Sequence, residues 1–254
     1  PLGVEFEGVS FRYPRPGETA RDASGPPVLM DIETTVKPKS RIAVVGETGS
    51  GKTTFAKLLT RLMDPVDGRV LMGGIDLRTV RFRSLRDRVV MVPQEGMLFS
   101  GTIADNVRMG RPEATDAELL AAFRRLGLGD WLGELGAGLS TPVGERGGAL
   151  SVGERQLVTL VRAAIADPDL LVLDEATSAV DPATEVRINR ALSELTTGRT
   201  VVTIAHRLST AESADRVLVF DEGRIVQDGS HENLVAEGGI YGRLFDSWQR
   251  GTTN

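Results

Sequence analysis

The run RIAVVGETGSGKTTFAKLL, residues 41–59, leaves a chain few ways to fold. Its opening residues are apolar enough for a central buried strand. Thr53 to Met63 reads as a helix with Phe55, Leu58, Leu59 and Leu62 on one face. Between strand and helix stands Gly46-Glu47-Thr48-Gly49-Ser50-Gly51-Lys52-Thr53, a glycine and four residues followed by Gly-Lys-Thr. Such glycines permit a tight turn whose N–H groups converge on an anion, and the helix start adds the positive end of its dipole. In that frame Lys52 reaches the β- and γ-phosphates of a nucleotide, and the Thr53 hydroxyl ligates Mg²⁺. Thr54 completes the loop's entry into the helix.

A nucleotide site of this kind needs an acid at the end of another buried strand. LLVLDE, residues 170–175, supplies one. Asp174 follows four apolar residues and would emerge beside the glycine loop in an open α/β sheet, where it would hold Mg²⁺. Glu175 is placed to polarise an attacking water as general base.

The rest of the chain alternates strands and helices, which argues for a parallel sheet with helices on both faces. Val4 to Tyr13 and Val28 to Ile32 read as strands, as do GRVLMGG, RVVMVPQ and TVVTIAH. RVLVFDEGRIVQDG reads as a hairpin turning at Asp221 to Gly223. Residues 95–165 are mostly helical and form a segment inserted into a core of residues 1–94 and 166–254. The net charge of −5 gives no electrostatic case for binding nucleic acid. The absence of cysteine excludes disulfides and thiolate metal sites and suits a reducing compartment. No apolar run reaches the ~20 residues needed to cross a bilayer.

LSVGERQ, residues 150–156, raises a separate question. Ser151 and Glu154 have the spacing of a capping box, and Leu157, Leu160, Val161, Ala164 and Ile165 form a helical stripe behind them. Gly153 nevertheless stands in the first turn, where glycine costs about 1 kcal/mol relative to alanine.

Taken together, these residues resemble the nucleotide-binding domain of ABC transporters, over essentially the whole chain. The elements run in the family's order: Tyr13, Gly46 to Thr53, Gln94, LSVGERQ, LLVLDE, the loop Ser178 to Asp181, and His206. The resemblance implies an α/β fold, a P-loop NTPase (RecA-like) core with an antiparallel β subdomain and an inserted α-helical subdomain. It implies Tyr13 stacking on adenine and Gly46 to Thr54 holding the phosphates of ATP. Gln94 would touch Mg²⁺ and the attacking water, and His206 would contact the γ-phosphate and brace Glu175. Two such domains would close head to tail, with Ser151, Gly153 and Glu154 of one meeting the γ-phosphate held by the other. A side chain at Gly153 would obstruct that approach. The chain departs from the common Leu-Ser-Gly-Gly-Gln form at Val152 and Glu154, while Ser151 and Gly153 are kept.

STPVGERG, residues 140–147, and MLFSGTIADNV after Gln94 resemble exporter-type members. They imply an Mg²⁺-dependent ATPase at the cytoplasmic face of a membrane, driving a transmembrane domain fused upstream of residue 1. His231, in a polar run, is expected to cap a helix or face solvent. An importer ATPase is disfavoured by the TPVGERG sequence. A soluble chromosome-organising relative would need a long coiled coil between Gln94 and Leu150. A regulatory module without turnover would need Glu175 misplaced.

Overall fold

A computed structural model describes residues 2–19, 23–94, 96–174 and 180–251. Two sheets carry the described residues. The smaller is antiparallel, in the order β2-β1-β4-β5, from β1 (Val4–Arg12), β2 (Pro27–Val36), β4 (Asp67–Met72) and β5 (Ile75–Asp76). The larger runs β10-β9-β3-β8-β7-β6, from β3 (Arg41–Gly46), β6 (Val89–Val92), β7 (Leu170–Asp174), β8 (Thr200–Ile204), β9 (Arg216–Asp221) and β10 (Arg224–Gly229). All of its neighbours are parallel except the β9–β10 hairpin at its edge. The strands β3, β7 and β8 are buried along nearly their whole length because helices cover both faces.

The hairpin turns where the sequence places it. Asp221 pairs with Arg224, and Glu222 (φ 43°) and Gly223 (φ 77°) make the turn, with the double positive φ that matches strand twist.

The helix after the glycine loop, α1 (Lys52–Leu59), stops short of the expected Met63. The Thr60 hydroxyl donates to the carbonyl of Ala56 at 2.9 Å, and Arg61 turns to φ 50°. Leu62 therefore leaves the buried face and is 57% exposed. Phe55 on α1 stacks on Phe6 of β1 with ring centroids 4.4 Å apart and meets Phe220 of β9 at 5.2 Å. One fully buried ring thus joins the two sheets.

Between β6 and β7 lie α3 (Ile103–Arg108), α4 (Asp116–Arg125), α5 (Gly129–Glu134) and α6 (Val152–Ala166), after the short α2 (Phe82–Arg86). The expected stripe of α6 is buried along its length. It shares one apolar core with Val92, Leu171, Leu173 and Val201 of the large sheet and with Ile188, Ala191 and Leu195 of α7 (Pro182–Thr196). The inserted helices are thus anchored on the sheet itself. The short α8 (Leu208–Glu212) links β8 to β9, and α9 (His231–Glu237) and α10 (Gly239–Gly251) follow β10.

His231 neither caps nor faces solvent. Ser230 caps α9, and the His231 ring lies against Phe245 and bonds through Nδ1 to the buried Tyr241 hydroxyl at 2.7 Å. Replacing Phe55 with alanine is expected to cost about 3–5 kcal/mol of unfolding free energy in a denaturant titration, as an aromatic lost from a packed interior does.

Candidate nucleotide-binding site

The order of the parallel strands gathers the candidate residues. β8 lies between β3 and β7, with Val44 opposite Ile204 and Ile204 opposite Asp174. Gly46, the start of the glycine loop, His206 and Asp174 therefore leave neighbouring strands at the same edge. On the far side of β7, Val92 pairs with Leu173, which brings the exposed Gln94 to that edge two residues later. This is the carboxyl edge of the sheet, where open α/β folds bind ligands. Glu175 lies outside the described residues.

The loop itself is tightly braced. Gly51, the residue before α1, has φ 105°, and a Cβ there would stand 2.7 Å from Leu29 Cδ2 and 3.0 Å from the Val28 carbonyl. No side chain caps α1. Its first N–H groups lack intrahelical partners, as in any helix, and remain for an anion. The hairpin and β2 support the turn from behind: Gly223 N–H donates to the Ser50 carbonyl at 3.1 Å, and Met30 N–H to the Gly223 carbonyl at 2.9 Å. Sequence reasoning misses this brace, because nothing in the hairpin's own pattern says what its tip touches.

Lys52 is buried, and its ammonium donates to the carbonyls of Gly46 and Glu47, each at 2.7 Å, and to the Ser50 hydroxyl at 3.5 Å. Burial pushes its pKa down, and the charge of Asp174 opposes the shift. Asp174 shows the converse. Burial pushes its carboxyl up, and His206 and Lys52 pull it back in part. A cation at this edge would favour the ionised form of Asp174, and the Thr53 hydroxyl lies exposed beside the loop. These donors suit a hard divalent ion. Glu47, Thr48 and Gly49 face solvent at the top of the turn, while Ser50 and Thr54 are buried.

Tyr13 stands just beyond β1, half-exposed. Its hydroxyl bonds to the Thr54 hydroxyl at 3.1 Å, and its ring meets Phe11 edge-on at 5.0 Å. The Lys57 ammonium lies 5.9 Å from its centroid, a cation–π approach that the sequence pattern does not reveal. The loop after Tyr13 is held by Glu18, which accepts from Arg15 N–H and from the Ser24 N–H and hydroxyl. Those bonds, the Ser24 hydroxyl first, lower its pKa to about 2.

Ser151, Gly153 and Glu154 are not brought to this loop by their own contacts. The capping box forms as expected: Ser151 N–H donates to Glu154 Oε2 at 2.8 Å, and Glu154 N–H to Ser151 Oγ at 3.2 Å. Gly153 is buried, and a Cβ there would lie 2.4 Å from Thr184 Cγ2 and 3.2 Å from Val180 Cγ1. Within the chain, then, the glycine lets α6 approach the first turn of α7. Steric demand inside one polypeptide already accounts for the poor helix former.

Because the folded-state pKa of Asp174 is raised, its contribution to stability is present below the ordinary carboxylate range. It is lost as pH rises through the raised value. Asp174→Asn is therefore expected to raise the melting temperature of the ligand-free chain at neutral pH and to flatten the pH dependence. A lower melting temperature would contradict the shift.

Comparison with known proteins agrees with this geometry. The family model described as ABC transporter matches residues 29–178. The chain is 46% identical over 238 residues to a fatty acid ABC transporter ATP-binding/permease protein of Mycobacterium bovis, covering 94% of the chain and 36% of the relative. It is 44% identical over 241 residues to a β-(1→2)glucan export ATP-binding/permease protein of Rhodopseudomonas palustris, covering 95% of the chain and 38% of the relative. The chain thus spans somewhat over a third of the length of these curated relatives. A solved bacterial Atm1-family ABC exporter with ATP bound superposes with a TM-score of 0.86 at 38% identity, over 100% of this chain and 42% of that one. Parallel strands ending in a glycine loop, an apposed aspartate and a histidine, together with these matches, make the chain an ATP-binding domain of the ABC transporter family, built on the P-loop NTPase fold.

Proposed function

We propose that the chain is the Mg²⁺-dependent ATPase engine of an exporter. In this reading it closes head to tail with a second nucleotide-binding domain around ATP, at the cytoplasmic face of a membrane. The observation that carries the reading is the buried Lys52 ammonium, satisfied by backbone carbonyls and electrostatically coupled to Asp174. A triphosphate offers stronger, charged acceptors in the same place.

The chain's residues then divide the work. Tyr13, fixed by Thr54, stacks on the adenine. The N–H groups from Gly46 to Thr54 and the Lys52 ammonium hold the phosphates. Thr53, Gln94 and Asp174 hold Mg²⁺, whose charge offsets that developing on the transferred phosphoryl group. Glu175 accepts the proton of the attacking water, and His206 donates a hydrogen bond to the γ-phosphate oxygens. Ser151 and the N–H groups at the start of α6 complete the site of the other domain, aided by the helix dipole. Closure exchanges the internal cap from Glu154 for that contact.

The membrane partner is proposed to dock on the inserted helices. Met97, Phe99 and Met109 are each more than half exposed around α3. Arg162 holds the Met97 carbonyl at 3.0 Å, and Asn106 pins Phe99 through its N–H and carbonyl. The segment 140–147 is pinned beside them by Val143, whose N–H donates to the Gly101 carbonyl at 2.9 Å, leaving Glu145 and Arg146 outward. An apolar patch with a charged rim of this sort fits a protein partner. The relatives, which are fused ATP-binding/permease proteins by name, support a transmembrane domain in the same, longer polypeptide.

Glu175→Gln is expected to keep ATP affinity and lower turnover by about 10²–10⁴-fold, the usual worth of a general base. It should also accumulate closed dimers on a sizing column; undiminished hydrolysis would remove Glu175 from the mechanism. Ser151→Arg is expected to leave ATP binding to the isolated chain intact and to abolish that dimer. Loss of binding to the monomer would mean that the site is not shared.

A further inference from the structure

The first turn of α7 meets two functional segments through consecutive residues. Thr184 is the residue against which Gly153 packs, so it seats the start of α6. Glu185 accepts a hydrogen bond from Arg207 Nη1 at 2.7 Å through Oε1. Arg207 directly follows His206 and is the extended residue that opens α8, which has no side-chain cap of its own. The turn between these contacts is stiff. The Asp181 carboxylate accepts from Thr184 N–H at 3.0 Å, Pro182 fixes the first helical position, and Glu185 N–H donates to the Asp181 carbonyl at 2.9 Å.

Both side chains of the pair are about two-fifths exposed, so the pair adds little to folding stability. Its effect is geometric. A guanidinium held by a carboxylate on a capped helix restricts the freedom of the chain around it, and the residue before Arg207 is His206.

The geometry points to Glu185 and Arg207 as positioning residues. Their ion pair holds His206 to the same turn of α7 that seats the start of α6. The chain's contact with its own nucleotide and the Ser151–Gly153 face it offers to the other domain then move as one body. This inference rests on the roles proposed above for His206 and Ser151, and adds to them the connection between the two sites.

Steady-state ATP hydrolysis tests it, with a melting curve recorded for every variant. Glu185→Arg and Arg207→Glu are each expected to lower kcat by about 5–10-fold, within the range that a displaced catalytic group costs, with KM for ATP and the melting temperature little changed. The double reversal, Glu185→Arg with Arg207→Glu, is expected to regain kcat to within about threefold of wild type, the signature of a pairwise term. Wild-type kcat in the single reversals would overturn the proposal. So would a double variant no better than the singles, or a loss of kcat matched by a loss of melting temperature. His206→Ala, measured alongside, separates the two levels. If it hydrolyses ATP undiminished, the role of His206 falls and the positioning proposal with it. If it is impaired while the reversals are silent, only the positioning proposal falls.

Discussion

A buried ammonium satisfied by backbone carbonyls is the constraint on which the rest of this molecule depends. Lys52 can be held inside the loop only if the Gly46 and Glu47 carbonyls turn inward, and they turn inward only because glycine occupies the tight positions. The same turn leaves the start of α1 uncapped. Cation and open helix terminus together make one anion-binding cup. Asp174 stands across from it, its charge opposed by burial and only partly supported by Lys52 and His206. In the proposed function this edge takes two ligands of opposite charge, a phosphate at the cup and a cation beside Asp174.

The surrounding fold keeps that cup rigid. Phe55 ties the helix behind the loop to both sheets, and the β9–β10 hairpin and β2 hold the loop by main-chain hydrogen bonds. On the other face, α6 and α7 share a core with the strands that carry Asp174 and precede His206. The helix whose N-terminus is offered outward is thereby referenced to the sheet that binds the nucleotide.

Much of this was legible in the sequence because the signals were local. The glycine loop between an apolar run and a helix, the aspartate closing LLVLDE and the capping box at Ser151 depend on spacing alone, and the structure reproduces each. Other features depend on contacts between distant segments. Leu62 keeps helical spacing, yet α1 ends before it because Thr60 bonds back to the Ala56 carbonyl and Arg61 turns. The spacing around Gly153 offers close approach to a phosphate as the reason for a glycine, whereas packing against Thr184, thirty-one positions later, is a second reason that spacing does not reveal. His231 looked like a surface residue, and its partner Tyr241 lies on the next helix. The Glu185–Arg207 pair and the support of the loop by Gly223 have no spacing signal at all.

Calorimetric titration of ATP with Mg²⁺ into the chain and into Lys52→Ala tests the central claim most directly. The account expects the substitution to abolish measurable binding while the melting temperature is kept, because the cup loses its buried ammonium and little of its framework. Binding heat and affinity matching wild type would mean that the nucleotide is held elsewhere, and that the loop is only a turn.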